Sequence, residues 1–145
     1  MGDAHELYRA WLPGLWNADP AEMPDLAERI FTPAAAAHWP GPLVTGPAEI
    51  AAKVRESRSM FDDVVVALEH GPIVDGELVA ARWSFGGRVR DVAEVPAEPG
   101  TPVLFHGMDL LRLAGGRFAE YWPFGDNAEL MRQLGAPDRP PESPQ

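Results

Sequence analysis

The chain of 145 residues contains no cysteine. That absence excludes disulfide frameworks, thiolate metal sites, iron–sulfur clusters and cysteine nucleophiles, and it is compatible with a reducing compartment. Positive charge is scarce as well: 12 Lys and Arg stand against 22 Asp and Glu, a net charge of -10. Phosphate backbones and anionic lipid surfaces offer such a protein no counter-charge, so neither nucleic acid nor membrane is an expected partner. No run approaches the ~20 apolar residues that cross a bilayer, and the start Met1-Gly2-Asp3-Ala4-His5-Glu6 is neither basic nor apolar. A soluble, cytoplasmic protein is expected. Also missing are a G-x-G-x-x-G turn, a Walker loop, a G-x-S-x-G elbow and an H-E-x-x-H pair, which removes the anchors of dinucleotide, nucleotide, serine-hydrolase and zinc-protease chemistry. The four histidines, at 5, 38, 70 and 106, show no paired spacing. Neither a metal nor a cofactor is expected.

What remains is an ordinary globular chain with 46% hydrophobic and 23% charged residues, long enough for one core that buries roughly 70% of the unfolded surface. Residues 1–135 read as a single domain. Residues 136–145, with four prolines in ten, read as a mobile tail. Asp3 and Glu6 form a capping-box-like start for a first helix, which Pro13-Gly14 interrupts before a turn through Trp16. Asp19-Pro20-Ala21-Glu22 opens a second helix striped by Met23, Leu26 and Ile30 and ending before Pro33. A short strand falls within 34–45, and Gly46-Pro47 opens a third helix with Ile50 and Val54 on one face. The period then changes to two, giving strands over 64–69, 77–85, 101–113 and 117–124, with Asp75-Gly76 and Gly115-Gly116 as hairpin turns. The connection 86–100 is long enough to act as a lid, and Asp126 to Gly135 forms a last helix. Helices followed by a meander of strands predict an α+β arrangement in which a curved sheet wraps helices and leaves a concave pocket.

The strongest local feature is Phe105-His106-Gly107-Met108-Asp109-Leu110-Leu111-Arg112-Leu113. Strand alternation puts Val103, Phe105, Gly107, Asp109, Leu111 and Leu113 on one face and His106, Met108, Leu110 and Arg112 on the other. Asp109 therefore sits in an apolar row, and Gly107 leaves room beside it for a ligand. Desolvation raises the pKa of such a carboxyl and makes it a proton donor; the alternative is an ion pair with Arg82 or Arg112. His106 falls on the far face, as a surface or interface residue. Either His38 or Trp39 points inward, and His38 is the candidate acid or base there. The five tryptophans, at 11, 16, 39, 83 and 122, exceed the needs of so small a core. Trp11, Trp16, Trp39 and Trp83, with Arg82, Phe105 and Leu111, are the candidate walls for a small hydrophobic ligand, and Trp122 is the candidate interface residue.

Several segments together carry a family resemblance: Asn17-Ala18-Asp19, Gly46-Pro47-Ala48-Glu49-Ile50, Phe105 to Asp109, Gly116-Arg117-Phe118-Ala119-Glu120-Tyr121-Trp122 and Leu130 to Gly135. The chain resembles the SnoaL-like proteins of the nuclear transport factor 2 superfamily. That resemblance implies a cone of curved antiparallel sheet closed by three helices, a cystatin-like α+β barrel, usually a homodimer with a central pocket. The fold hosts cyclases, isomerases, dehydratases, epoxide hydrolases and binding modules, so it does not fix the reaction. Met108 to Leu113 is similar to the ketosteroid isomerase strand that carries a protonated aspartic acid. Where those isomerases place their catalytic aspartate, this chain has Trp39, so His38 would have to supply the base. Arg82-Trp83-Ser84 departs from the Arg-x-Asp of the epoxide hydrolases, and Phe85-Gly86 lacks the histidine usual in SnoaL-type ring closers. The resulting expectation is a cofactor-free cyclase or isomerase of polyketide-type secondary metabolism, with Asp109 and His38 as its acid and base. A template or pericyclic cyclase and a non-catalytic binding dimer are the alternatives, and a structural domain with a filled core is the third.

Overall fold

The computed structural model describes residues 3–91 and 94–135. The expected tail at 136–145, and positions 92 and 93 of the expected lid, lie outside the described residues. Helix α1 (Ala4–Arg9) starts where the Asp3 carboxylate accepts the His5 N–H. The helix then deforms over Ala10–Gly14, because Leu12 takes extended angles (φ -139, ψ 111) ahead of Pro13, as the pyrrolidine ring demands of the residue before it. Short turns at Leu15–Asn17 and Pro20–Glu22 lead into α2 (Met23–Ile30), which buries Met23, Ala27 and Ile30. Strand β1 (Phe31–Ala37) follows at once, three residues before the expected start, because Phe31 is fully buried against Trp11 and Phe118. The two-residue β2 (Val44–Thr45) precedes α3 (Gly46–Arg58), whose buried face is Ile50, Ala51 and Val54.

Four long strands complete the sheet: β3 (Phe61–Asp75), β4 (Leu78–Val89), β5 (Pro102–Ala114) and β6 (Arg117–Gly125). The order is β2-β1-β6-β5-β4-β3, a curved sheet of six described strands that does not close on itself. One pairing departs from the expected antiparallel cone. Strand β1 lies parallel to β6, which is open to it because some eighty residues separate the two strands and no hairpin dictates their direction. Three breaks in the β3–β4 register supply the curvature, each extra residue bending the strand that carries it. Asn17 fixes this bent strand in place. Its amide donates to the Val66 and Pro13 carbonyls and accepts the Val66 N–H, so one side chain stands in for a pairing strand. That gives the Asn17-Ala18-Asp19 segment a structural role, and Asp19 caps the next turn through the Ala21 N–H.

The expected 86–100 loop is shorter than its sequence suggests. Strand β4 continues through Gly86-Gly87 to Val89, and the Val89 N–H to Thr101 O and Gly100 N–H to Val89 O bonds draw the strand ends together. The last helix, α4 (Asn127–Gln133), is tied to β5 by Gln133, which exchanges hydrogen bonds with both the N–H and the C=O of Leu104. The helices pack into the concave side of the sheet around Tyr8, Trp11, Leu15, Ile50, Leu111 and Phe118. Among the described residues no helix is long and apolar enough to cross a membrane.

Candidate active site

Alternation along β5 turns Val103, Phe105, Gly107, Asp109 and Leu111 into the concave side. Asp109 is only 2% exposed and receives four hydrogen bonds. Its Oδ1 accepts from the Tyr121 hydroxyl at 2.8 Å and from Trp83 Nε1 at 2.9 Å. Its Oδ2 accepts from the Tyr8 hydroxyl at 2.9 Å and from Trp11 Nε1 at 3.2 Å. Each oxygen thus faces one indole, which can only donate, and one phenol, which can donate or accept. The elements explain the convergence. Tyr8 and Trp11 are one turn apart on α1 and its continuation, Trp83 comes from β4 and Tyr121 from β6, the strands on either side of β5. Burial pushes the Asp109 carboxyl above its ordinary range, with the four donors pulling the other way. Burial and the adjacent carboxyl push both phenols well above theirs.

The room beside Gly107 is filled by protein and not left for a ligand, contrary to the expectation from sequence. The Trp83 indole lies against that glycine, where an added Cβ would come within 2.2 Å of Trp83 Cζ2. Gly107 is therefore what lets Trp83 reach Asp109. Gly107→Ala is expected to displace the indole, combining overpacking with a broken hydrogen bond to a buried acid, for a loss of roughly 2–4 kcal/mol in stability. Urea unfolding measures it, and an unchanged midpoint would remove this role for the glycine.

A cavity of about 560 Å³ opens beside this cluster. Its aromatic wall includes Trp16, Trp39, Trp83, Phe85, Phe105 and Tyr121, while Lys53, Glu56, Ser57, Ser59 and Asn127 bring polar groups to it. Lys53 is the chain's single lysine. The wall is mostly carbon with a few donors, the composition of sites that hold small apolar molecules. A filled core is thereby excluded. Asp109 itself is not part of the wall; it lies behind Trp83 and Tyr121.

The remaining candidates separate cleanly. Trp16, Trp39, Trp83 and Phe105 border the cavity. Trp11 and Leu111 are fully buried beneath it. Of the adjacent pair it is Trp39 that turns inward, edge-on to Tyr121 at 5.1 Å. His38 is thereby carried to the outer face, which corrects its expected place as an acid or base in the pocket. There it stacks on Trp122 and bonds Glu120 through Nε2 at 2.8 Å. Arg82 is corrected for the same reason of strand parity: it pairs with Glu69 at 3.1 Å on the outer face. Arg112 pairs with Glu120, so neither arginine neutralises Asp109. Two members of the cluster, Tyr8 and Tyr121, were not among the sequence candidates. For Tyr121 the signal was present, since alternation in β6 places it opposite to Trp122. Among the described residues no three His, Asp or Glu side chains are arranged to hold a metal ion.

Comparison with known proteins agrees with this architecture. TsrD from Streptomyces laurentii superimposes with a TM-score of 0.72 and 26% identity, over 94% of this chain and 98% of that one. A candidate SnoaL-like polyketide cyclase from Jannaschia sp. CCS1 gives 0.76 and 22% identity over 91% of each chain. IdmH, a candidate polyketide cyclase from Streptomyces antibioticus, gives 0.71 and 21% identity over 91% of this chain and all of that one. No curated protein sequence matches significantly. The family described as SnoaL-like polyketide cyclase matches residues 6–134, nearly the whole described chain, and the protein belongs to that family.

Proposed function

We propose that the protein is a cofactor-independent cyclase or isomerase of secondary metabolism, that its substrate is an unsaturated, polyketide-like carbonyl compound bound in the aromatic cavity, and that Asp109 supplies the proton through Tyr121. The observation that carries this reading is a buried carboxyl placed directly behind a phenol of the cavity wall. Ionised, Asp109 accepts all four donors. Protonated, it must place its own hydrogen on a phenol, since the indoles cannot accept, and that phenol must turn its O–H elsewhere. Tyr8 makes its side-chain hydrogen bond to Asp109 and lies outside the cavity wall, whereas Tyr121 borders the cavity. A substrate carbonyl there completes a relay: the Asp109 proton passes to the Tyr121 oxygen as the Tyr121 proton passes to the carbonyl oxygen. The bond from an enol carbon to that carbonyl carbon forms in the same step. The enol hydroxyl becomes a carbonyl of the product as that bond forms and releases its proton, which returns through Tyr121 to the carboxylate left on Asp109. His38 has no part in this route.

The test is turnover of a synthetic poly-β-keto thioester, followed by chromatography and mass spectrometry. Ring closure faster than in buffer, and dependent on Asp109, is the expected result; recovery of the thioester unchanged from wild-type protein would refute it and leave a binding module. A templating reading is favoured by one observation, the predominance of carbon on the wall. It predicts instead that Trp39→Ala or Trp83→Ala slows ring closure more than loss of Asp109 does.

A second copy of the chain covers the outer face of the sheet in the same proposal. Leu104, Met108, Leu110 and Phe124 are 38–82% exposed there, between two clusters that each hold both signs of charge, His38–Glu120–Arg112 and His106–Glu69–Arg82. Such a face is self-complementary about a two-fold axis. Light scattering is expected to show a dimer of the 15.8 kDa chain and a monomer for the double variant Met108→Glu, Leu110→Glu. A wild-type monomer at micromolar concentration would contradict this assignment.

A further inference from the structure

Among the described residues the cavity wall carries one positive charge, that of Lys53. Lys53, Glu56, Ser57 and Met60 recur at i, i+3, i+4 and i+7 along α3 and just past its end, a stripe next to the buried Ile50, Ala51 and Val54. This stripe meets the cavity where it opens: the Glu56 side chain is 72% exposed and that of Lys53 30%, whereas Tyr121 on the same wall is 2% exposed. A lysine so placed lays its stem on carbon and holds its ammonium at the mouth. The neighbouring donors are already spent. Ser57 Oγ donates to the Lys53 carbonyl at 2.9 Å and Ser59 Oγ to the Glu56 carbonyl at 2.6 Å, while Trp83 and Tyr121 donate to Asp109. The ammonium is the group left over. Its ion-pair partner among the described residues, Glu56 Oε1, stands 3.7 Å away, beyond hydrogen-bond reach. Lysine also precedes glutamate in this pair, the weaker order on a helix, and so exposed a pair contributes little to stability.

We infer that the Lys53 ammonium binds a carboxylate of the molecule held in the cavity, so that the substrate is an unsaturated keto acid lying with its carbonyl at Tyr121 and its acid group at the mouth. The inference deepens the proposed function and rests on its reading of the cavity as the substrate site. The sign of the charge follows from exposure: of the two charged groups on the rim, the more enclosed is the cation. A carboxylate that carries an apolar body into the cavity displaces Glu56, because its charge-assisted hydrogen bond is joined by the burial of carbon, which Glu56 does not gain. In a protein of net charge -10, no other position on the described wall offers such a ligand a counter-charge. Two anchors, one exposed and one buried, also select a carbonyl. With the acid group fixed at the mouth, the number of carbons between it and each ketone decides which ketone reaches Tyr121.

The probes are 4-oxo-4-(naphthalen-2-yl)butanoate and its methyl ester, the same flat ketone with and without a negative charge. Wild-type protein is expected to bind the acid about tenfold more tightly than the ester, with a preference that falls as salt is added. Lys53→Gln is expected to abolish the preference, and Lys53→Arg, which keeps the charge, to retain it. Glu56→Gln removes the competing carboxylate and is expected to strengthen acid binding a few-fold without changing that of the ester. Thermal unfolding verifies that each variant is folded. Because Lys53 is the chain's single lysine, protein labelled with ¹³C at the lysine ε position gives one side-chain resonance, expected to shift with the acid and not with the ester. Equal binding of acid and ester by the wild type, or a preference that survives in Lys53→Gln, overturns the inference, while turnover that depends on Asp109 leaves the proposed function standing. Entry of neither probe overturns both.

Discussion

Asp109→Asn is expected to lower turnover by about 100-fold or more and to destabilise the fold by roughly 2–4 kcal/mol. The two effects have different origins. A single hydrogen-bond donor aimed at a developing oxyanion is commonly worth about 3 kcal/mol, and the amide cannot hand its proton to Tyr121 as an acid does. The stability loss follows from the symmetry of the cluster. Each carboxyl oxygen of Asp109 meets one indole N–H, from Trp83 on one side and Trp11 on the other. Whichever way the amide is flipped, its NH₂ is pressed against an N–H that can only donate. Asp109→Asn combined with Trp83→Phe removes that clash on one side. This pair should recover part of the unfolding free energy and none of the activity, which separates the structural duty of the carboxyl from its chemical one. Recovery of activity along with stability would mean that Asp109 is only a strut.

The pH dependence of stability carries the same information with a definite sign. The Asp109 pKa in the folded protein lies above the ordinary 3.8, so the native state holds this proton more tightly than the unfolded chain does. Its contribution to stability is therefore complete below pH 3.8 and lost as the pH rises through the raised folded value. The stability difference between wild type and Asp109→Asn should shrink across that window. The half-buried Glu120 and Glu129, whose pKa values are lowered, act in the opposite sense and are common to both proteins, so the comparison cancels them.

Tyr121→Phe is expected to reduce turnover by a factor similar to Asp109→Asn. The phenol is the only member of the relay that forms part of the cavity wall. Stability should suffer less, because Oδ1 keeps the Trp83 N–H and loses one donor of two. Tyr8→Phe is the matched control: it removes an equivalent hydrogen bond from Oδ2, at 2.9 Å, from a residue outside the wall. Turnover in Tyr8→Phe should remain within a few-fold of wild type. The double variant Asp109→Asn, Tyr121→Phe should be little slower than either single change, as groups that act as one unit are non-additive. Independent, multiplying effects would show that Tyr121 and Asp109 act separately.

Much of this arrangement was open to reading in the sequence, for identifiable reasons. Period-two alternation is a local property, and it placed Asp109, Phe105 and Gly107 on one face without knowledge of any neighbour. The same rule allowed only one of His38 and Trp39 to face inward but could not choose between them. That choice is made by packing, where a bulky indole against Tyr121 buries more apolar area than an imidazole. The parallel β1–β6 pairing and the use of Gly107 as a seat for Trp83 were illegible because they depend on partners distant in the chain. The four-donor cage was hidden for the same reason: Tyr8 and Asp109 are 101 positions apart, and no spacing rule connects them. The Asn17-Ala18-Asp19 segment, which helped carry the family resemblance, holds a bent strand, so a family motif can mark geometry as readily as chemistry.

The most direct test is difference infrared spectroscopy of the carboxyl, with the Asp109 band assigned by its loss in Asp109→Asn. The acid C=O band should persist at pH values well above 3.8. Binding of a flat ketone should strengthen and shift it in wild-type protein but leave it unmoved in Tyr121→Phe, because of the two wall residues bonded to the acid, Trp83 and Tyr121, only the phenol can both take a proton and pass one on. A carboxylate spectrum throughout that range, indifferent to the ketone, would contradict a proton held at Asp109 and passed through Tyr121.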